Sequence, residues 1–100
     1  MPDSKFNNGV LPEFLSGHAY VSSSGGEFAL PANNAVQYLR WAQQHGVQVD
    51  GVEVWRPTVP GPTALPGLGC DGDAEACIAA IPKIVAEYGS EIVFNIWTRG

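Results

Sequence analysis

VQVDGVEVW, at residues 47–55, alternates apolar and polar side chains as a β-strand does, but the alternation changes phase halfway along. The valines before Asp50 have odd numbers and those after Gly51 have even numbers, and successive strand residues point to opposite faces of a sheet. Either both faces of this strand are covered, or a β-bulge at Gly51 re-aims its second half. With the bulge, Glu53 and Trp55 share the opposite, more exposed face, and both are expected to be surface residues.

The residues before this strand predict a β-hairpin and a helix. HAYVS and EFAL, from residue 18 to residue 30, are strand-like and are separated by Ser-Ser-Gly-Gly turn chemistry. Pro31 suits a first helical residue, because the N–H that proline lacks has no partner there. Between Asn33 and His45 the polar and apolar residues fall on opposite helix faces, and Gly46 can take the left-handed conformation that ends a helix.

The residues after the strand predict a long loop, a second helix and a last strand. RPTVPGPTALPGLGCDG, residues 56–72, holds four prolines and four glycines, and we interpret it as a rigid Pro/Gly-rich loop. Asp73 is a suitable cap for a helix that Gly89 closes, with Pro82 on its outer side. EIVFNIW, residues 91–97, is typical of a strand.

Together these elements predict an α+β, or mixed α/β, fold in one domain spanning residues 1–100. We expect a hairpin followed by α-β-α-β, with a mixed sheet of about four strands and both helices packed on one face. One hundred residues suffice for a single core. Residues 1–16 are expected to form an irregular lead-in with one short helical turn near Pro12 to Leu15.

The charge balance bears on the partners. Ten acidic and five basic residues give a net charge of −5 and a pI near 4.7. This acidity disfavours binding to nucleic acid or anionic membranes and favours binding to a basic protein. The alternative is that the negative charge only keeps the protein soluble. The sequence shows no signal peptide and no apolar run of membrane-spanning length, so we expect a cytoplasmic protein.

No constellation of residues predicts catalysis, a cofactor or a metal. Asp71, Asp73 and Glu75 alternate as acidic residues do in a calcium-binding loop, but they are too few to supply all of its ligands. Their position at the start of a helix is better explained by helix capping. Cys70 and Cys77 could form a disulfide, but nothing in the sequence indicates one, and the two histidines supply no zinc spacing. We therefore expect a binding protein without enzymatic activity.

Residues 25–57 resemble the bacterial polymorphic-toxin immunity proteins, in particular the family numbered forty. The resemblance is carried by Gly-Gly before Glu-Phe-Ala-Leu, by Leu-x-Trp in the first helix, and by Val-x-Gly-Val-Glu-Val-Trp. It implies a cytoplasmic inhibitor that binds and neutralises a cognate toxin, and a basic nuclease-type toxin would suit an acidic inhibitor. We hypothesise that the binding surface includes five residues, with the Trp55 indole as its anchor: Glu53, Trp55, Asp71, Asp73 and Glu75.

Two other classes of function stay open. A small enzyme could use Glu53 or His18 in a pocket closed by the Pro-rich loop. A subunit or regulatory module of a larger assembly could pair through a hydrophobic edge strand at EIVFNIW, which would also give homodimers. Separately, the two halves of the chain share an order of helix, glycine and strand ending in a tryptophan, which predicts that Trp55 and Trp97 flank a common edge.

Overall fold

The computed structural model describes residues 12–21, 28–57 and 63–99. In this part of the chain a 3₁₀-helix, two α-helices and five strands follow one another: 3₁₀ Glu13–His18, β1 Tyr20–Val21, β2 Phe28–Pro31, α1 Ala32–His45, β3 Gln48–Arg56, β4 Thr63–Asp71, α2 Ala74–Tyr88 and β5 Val93–Arg99. The strands form one sheet in the order β1-β2-β5-β3-β4, and every described pair is antiparallel. The predicted α+β class is confirmed, with one more strand than expected and antiparallel rather than mixed pairing.

The additional strand, β4, lies inside the segment that was predicted to be a loop. Thr63, Ala64 and residues 69–71 pair with β3, so the interpretation of all of 56–72 as a loop is wrong. Among the described strands β4 has a neighbour on one side only. Such an edge strand tolerates Pro66, since the N–H that proline lacks need not complete a ladder. The prolines and glycines of residues 63–71 therefore belong to an edge strand, and they interrupt the alternation of apolar and polar residues by which a strand is predicted.

Of the two alternatives predicted for β3, the structure shows the bulge. The pairing of β3 with β5 shifts register between Val49 and Gly51. As a result Val49, Val52 and Val54 are all buried in the same core although their numbers differ in parity. This register shift thus turns the valines of both halves of β3 toward the helices.

Both helices pack on one face of the sheet, as expected. The core between them joins the inward residues of the central strands to one stripe of each helix. Its fully buried side chains include Leu30, Tyr38, Leu39, Val54, Cys77, Ile81, Phe94 and Ile96.

The helix ends follow the sequence signals. Gly46 takes the left-handed conformation after α1, with φ 70° and ψ 22°. At the start of α2 the Asp73 carboxylate Oδ1 accepts a hydrogen bond from the Ala76 backbone N–H at 3.0 Å. Pro82 lies within α2 and is exposed, so the ring stays outside the core.

The sheet order overturns one hypothesis. β5 lies between β2 and β3, so EIVFNIW is not an edge strand, and the hypothesis that it pairs with another chain as one is wrong. Trp55 and Trp97 consequently belong to two adjacent interior strands and do not flank a common edge. Neither α-helix in the described part of the chain has the length and apolar character of a membrane-crossing helix.

Gly46→Ala tests the cap of α1. Alanine has room at this position, because nothing lies within 4 Å of an added Cβ, but the positive φ strains it. We expect the free energy of unfolding to fall by about 1 kcal/mol in urea denaturation. Gly17→Ala is the matched control, since Gly17 also has open space but no positive φ, and it should change stability by less than about 0.5 kcal/mol. Equal losses in both variants would contradict the strain argument.

The buried phenol of Tyr38 predicts that the folded protein loses stability at alkaline pH. Burial raises the pKa of this phenol from 10.0 to about 12. Between these values the unfolded chain releases a proton that the folded chain keeps, so stability falls as pH rises from 10 toward 12. Tyr38→Phe should flatten that fall in urea midpoints measured across the interval. An equally steep fall in Tyr38→Phe would contradict this argument.

Candidate functional site

The face of the sheet that points away from the helices, here called the outer face, carries a set of polar and aromatic side chains. Residues opposite each other in a ladder share a face, so the register arranges them in rows across the strands. One row runs Asp71, Gly51, Trp97, and the next runs Gly69, Glu53, Asn95. Glu53 therefore lies diagonally between the Asp71 carboxylate and the Trp97 indole.

A cleft of about 250 Å³, here called the outer cleft, opens at these two rows. It is lined by Val52, Glu53, Leu68, Gly69, Asp71 and Trp97. Asp71 is exposed, while Glu53 and Trp97 are half-buried. The cleft thus brings two carboxylates and one large aromatic ring to the same concave surface.

Two glycines explain why this part of the sheet is concave. Gly51 separates Asp71 from Trp97 in one row, and Gly69 lies opposite Glu53 in the next. A Cβ at Gly69, where φ is 131°, would collide with the carbonyl oxygen of Val52. A Cβ at Gly51 would come within 2.6 Å of the Cys70 carbonyl oxygen. The close approach of β3 and β4 therefore excludes side chains from the positions between the rim residues.

Trp55 lies on the outer face beside Glu53, as predicted, but it is not a surface residue. Only 4% of its side chain is exposed, and it clusters with Ala29 and Val93. Its indole Nε1 donates a hydrogen bond to Glu53 Oε1 at 2.9 Å. The expectation that Trp55 is an exposed residue is wrong, since the outer face is buried around it, and its indole instead holds the Glu53 carboxylate in place.

Asn95 supports the other side of the cleft and was not predicted from the sequence. It is fully buried, and its Nδ2 donates to the Phe28 carbonyl oxygen at 2.8 Å. Its Oδ1 accepts from the Trp97 indole Nε1 at 2.9 Å. The sequence signal for this role is an asparagine within the otherwise apolar strand VFNIW. A polar side chain buried in such a strand needs hydrogen-bond partners. Asn95 thus joins β5 to β2 and fixes the orientation of the Trp97 ring.

The other two predicted residues lie elsewhere. Asp73 and Glu75 line a separate cleft of about 300 Å³ formed by the end of α1, the start of β3 and the start of α2. Asp73 also caps α2 with its Oδ1. The structure therefore brings Glu53 and Asp71 together at the outer cleft, with the buried Trp55 beside Glu53, and it does not bring Asp73 and Glu75 to the same surface.

The residues proposed for an enzyme do not share the cleft. His18 is the last residue of the 3₁₀-helix and is exposed, and it is not among the residues that line the outer cleft with Glu53. In residues 12–21, 28–57 and 63–99, no group of three or more histidine, cysteine, aspartate or glutamate side chains is placed to hold a metal ion. What the outer cleft offers chemically is negative charge and an aromatic surface.

Comparisons with protein families, with characterised proteins and with solved structures give no match to this chain. The resemblance to the immunity proteins therefore stays a prediction from the sequence.

Asn95→Leu tests whether the buried amide holds the outer face together. Leucine has the same branched arrangement of heavy atoms, but it removes the hydrogen bonds that the Asn95 amide makes with the Phe28 carbonyl oxygen and the Trp97 indole N–H. We expect a loss of about 2–3 kcal/mol in urea denaturation. Ile96→Val, at the neighbouring fully buried position, removes one methyl group and should cost about 1 kcal/mol. A loss for Asn95→Leu no greater than for Ile96→Val would show that the amide bonds contribute little.

Proposed function

We propose that this protein is an inhibitor that binds and neutralises a cognate toxin domain, with the outer cleft as the centre of its binding surface. The observation that carries the proposal is the outer cleft itself, where Glu53, Asp71 and Trp97 meet on one concave surface. The ligand that this chemistry fits best is a basic side chain of a partner protein. A guanidinium or ammonium group can stack on an indole face while it pairs with the carboxylates.

The preorganisation of the cleft supports this role. The Glu53 carboxylate is held by Trp55 and the Trp97 ring is held by Asn95, in both cases at 2.9 Å. Side chains that are already fixed lose less conformational entropy when a partner binds. Because Glu53 and Trp97 are half-buried, a partner side chain that enters the cleft also meets them with less intervening water, which strengthens charged interactions.

The net charge of the chain supports a basic partner. A charge of −5 on 100 residues attracts a positively charged protein over distances longer than a direct contact. Such attraction raises the rate of association, and the contacts in the cleft then determine how long the complex lasts. Fast capture suits an inhibitor that must reach a toxin before the toxin acts.

The resemblance of residues 25–57 to the immunity proteins gives this binding role a biological setting. In that setting the partner is a bacterial toxin domain and the protein acts in the cytoplasm. The Glu53 and Trp55 pair belongs to the part of the chain that carries the resemblance, whereas Asp71 and Trp97 lie outside it. The cleft therefore combines a residue from the resembling segment with residues from the rest of the chain.

A second candidate is an interaction module that pairs with another chain through β4. The specific observation is that β4 is an edge strand among the described strands. Exposed edges can accept a further strand, but Pro66 interrupts the donors of this one, as is common in edges protected against pairing. Pairing through β4 is therefore a weaker candidate function than binding at the outer cleft.

A charge-neutralising pair of substitutions tests the outer cleft. The partner to be tested is the product of the open reading frame next to the gene for this protein, expressed as an inactivated toxin domain. Binding is measured by calorimetry at two salt concentrations. Glu53→Gln combined with Asp71→Asn should raise Kd by about 10–100-fold, because each removes a charge that faces the bound basic group. The affinity of the unaltered protein should fall as salt rises.

The control removes the same number of charges from a different surface. Glu75→Gln combined with Glu87→Gln alters two exposed carboxylates on α2, so net charge and long-range attraction change equally. This pair should change Kd by about twofold or less. An equal effect of both pairs would reject the outer cleft as the site, and an absence of binding by the unaltered protein would reject the proposed function.

A further inference from the structure

The turn between β4 and α2 brings two cysteines together. Cys70 is the penultimate residue of β4 and lies opposite the buried Val52, and Cys77 lies in the first turn of α2. Both are free thiols. The sulfur of Cys70 lies 3.6 Å from the carbonyl oxygen of Asp71, and the sulfur of Cys77 lies 3.6 Å from that of Gly72. The two sulfurs therefore approach the consecutive carbonyl groups of Asp71 and Gly72, on either side of the same turn.

The turn between the two cysteines is held at both ends by backbone hydrogen bonds. The Gly72 N–H donates to the Asp50 carbonyl oxygen at 2.9 Å, which ties the turn to β3. The Cys77 N–H donates to the Asp73 carbonyl oxygen at 3.0 Å, which ties it to α2. The approach of the two thiols is thus fixed by the fold around them.

The two thiols differ in access. Cys77 is fully buried, and burial, followed by the neighbouring Cys70, raises the pKa of its thiol to about 12. Cys70 is half-buried and can be reached from solvent. An exposed thiol beside a buried one is the arrangement in which the first reacts with an external reagent and the second resolves the product.

We propose that Cys70 and Cys77 form a reversible redox pair, a modification site at which a low-molecular-weight disulfide such as oxidised glutathione produces an intramolecular disulfide bond. This inference does not depend on the proposed toxin-binding function.

The reaction is two thiol–disulfide exchanges. The Cys70 thiolate attacks one sulfur of oxidised glutathione, the reagent's S–S bond breaks, and one glutathione thiolate leaves. Cys77 then gives up its proton and attacks the Cys70 sulfur, which forms the protein disulfide and releases the second glutathione. The protein loses two electrons and two protons, and oxidised glutathione gains both to become two thiols.

The bond would close a short ring across the turn, from residue 70 to residue 77. It would join the first turns of α2 to the end of β4, immediately before the Asp71 rim of the outer cleft. A cross-link in the chain reduces the freedom of the unfolded state, so the oxidised form should melt about 5–10 °C higher than the reduced form.

The experiment exposes the folded protein to buffers with graded ratios of oxidised to reduced glutathione and measures intact mass after acid quenching. We expect the unaltered protein to lose the mass of two hydrogens, to remain a monomer on a non-reducing gel, and to recover its mass with dithiothreitol. Cys77→Ser should stop at the first step and retain one glutathione on Cys70. Cys70→Ser, which changes only a half-buried side chain, should remain unmodified in the same buffers.

The opposite results are equally clear. A stable glutathione adduct on the unaltered protein, a disulfide-linked dimer, or unchanged mass in the most oxidising buffer would overturn the proposal. Rapid modification of Cys70→Ser at Cys77 would also overturn it, because the buried thiol would then be the accessible one. Far-UV circular dichroism of each variant establishes that the comparison is made on folded protein.

Discussion

The antiparallel ladder between β3 and β5 is the constraint on which the rest of the structure depends. Its register shift between Val49 and Gly51 lets three valines of β3 enter one core despite their mixed parity. The same ladder sets Glu53 opposite Asn95 and Trp55 opposite Val93 on the other face. One pairing therefore determines both what the helices cover and what the outer face presents.

Much of this architecture could be predicted because its signals are local. The cap at Asp73, the left-handed Gly46 and the phase change at Gly51 are each encoded within a few residues. β4 was missed because the glycines and prolines of an edge strand resemble those of a loop, and only its pairing with β3 distinguishes the two. The burial of Trp55 was missed for a related reason, since alternation shows which face a residue occupies but not whether that face is covered.

The candidate site shows the same division between local and distant information. Asp71, Asp73 and Glu75 are neighbours in sequence, yet the turn into α2 sends Asp71 to the outer cleft and the other two to a different cleft. Trp97 and Asn95 join Glu53 only because β5 returns beside β3 after a long separation in the chain. The acidic residues of the site could thus be predicted in part from the sequence. The Trp97 ring and the Asn95 amide that supports it could not, because only the register of the sheet places them beside Glu53.

The two glycines of β3 and β4 also bear on how such a protein could diversify. Gly51 and Gly69 are fixed by the close approach of the two strands, so the open space between the rim residues is retained whenever the sheet folds. Substitutions at Glu53, Asp71 or Trp97 alter charge and shape at the rim without this steric conflict. The charge and shape of the rim can therefore change by exchange of a few side chains, while the depression between them is inherited with the fold.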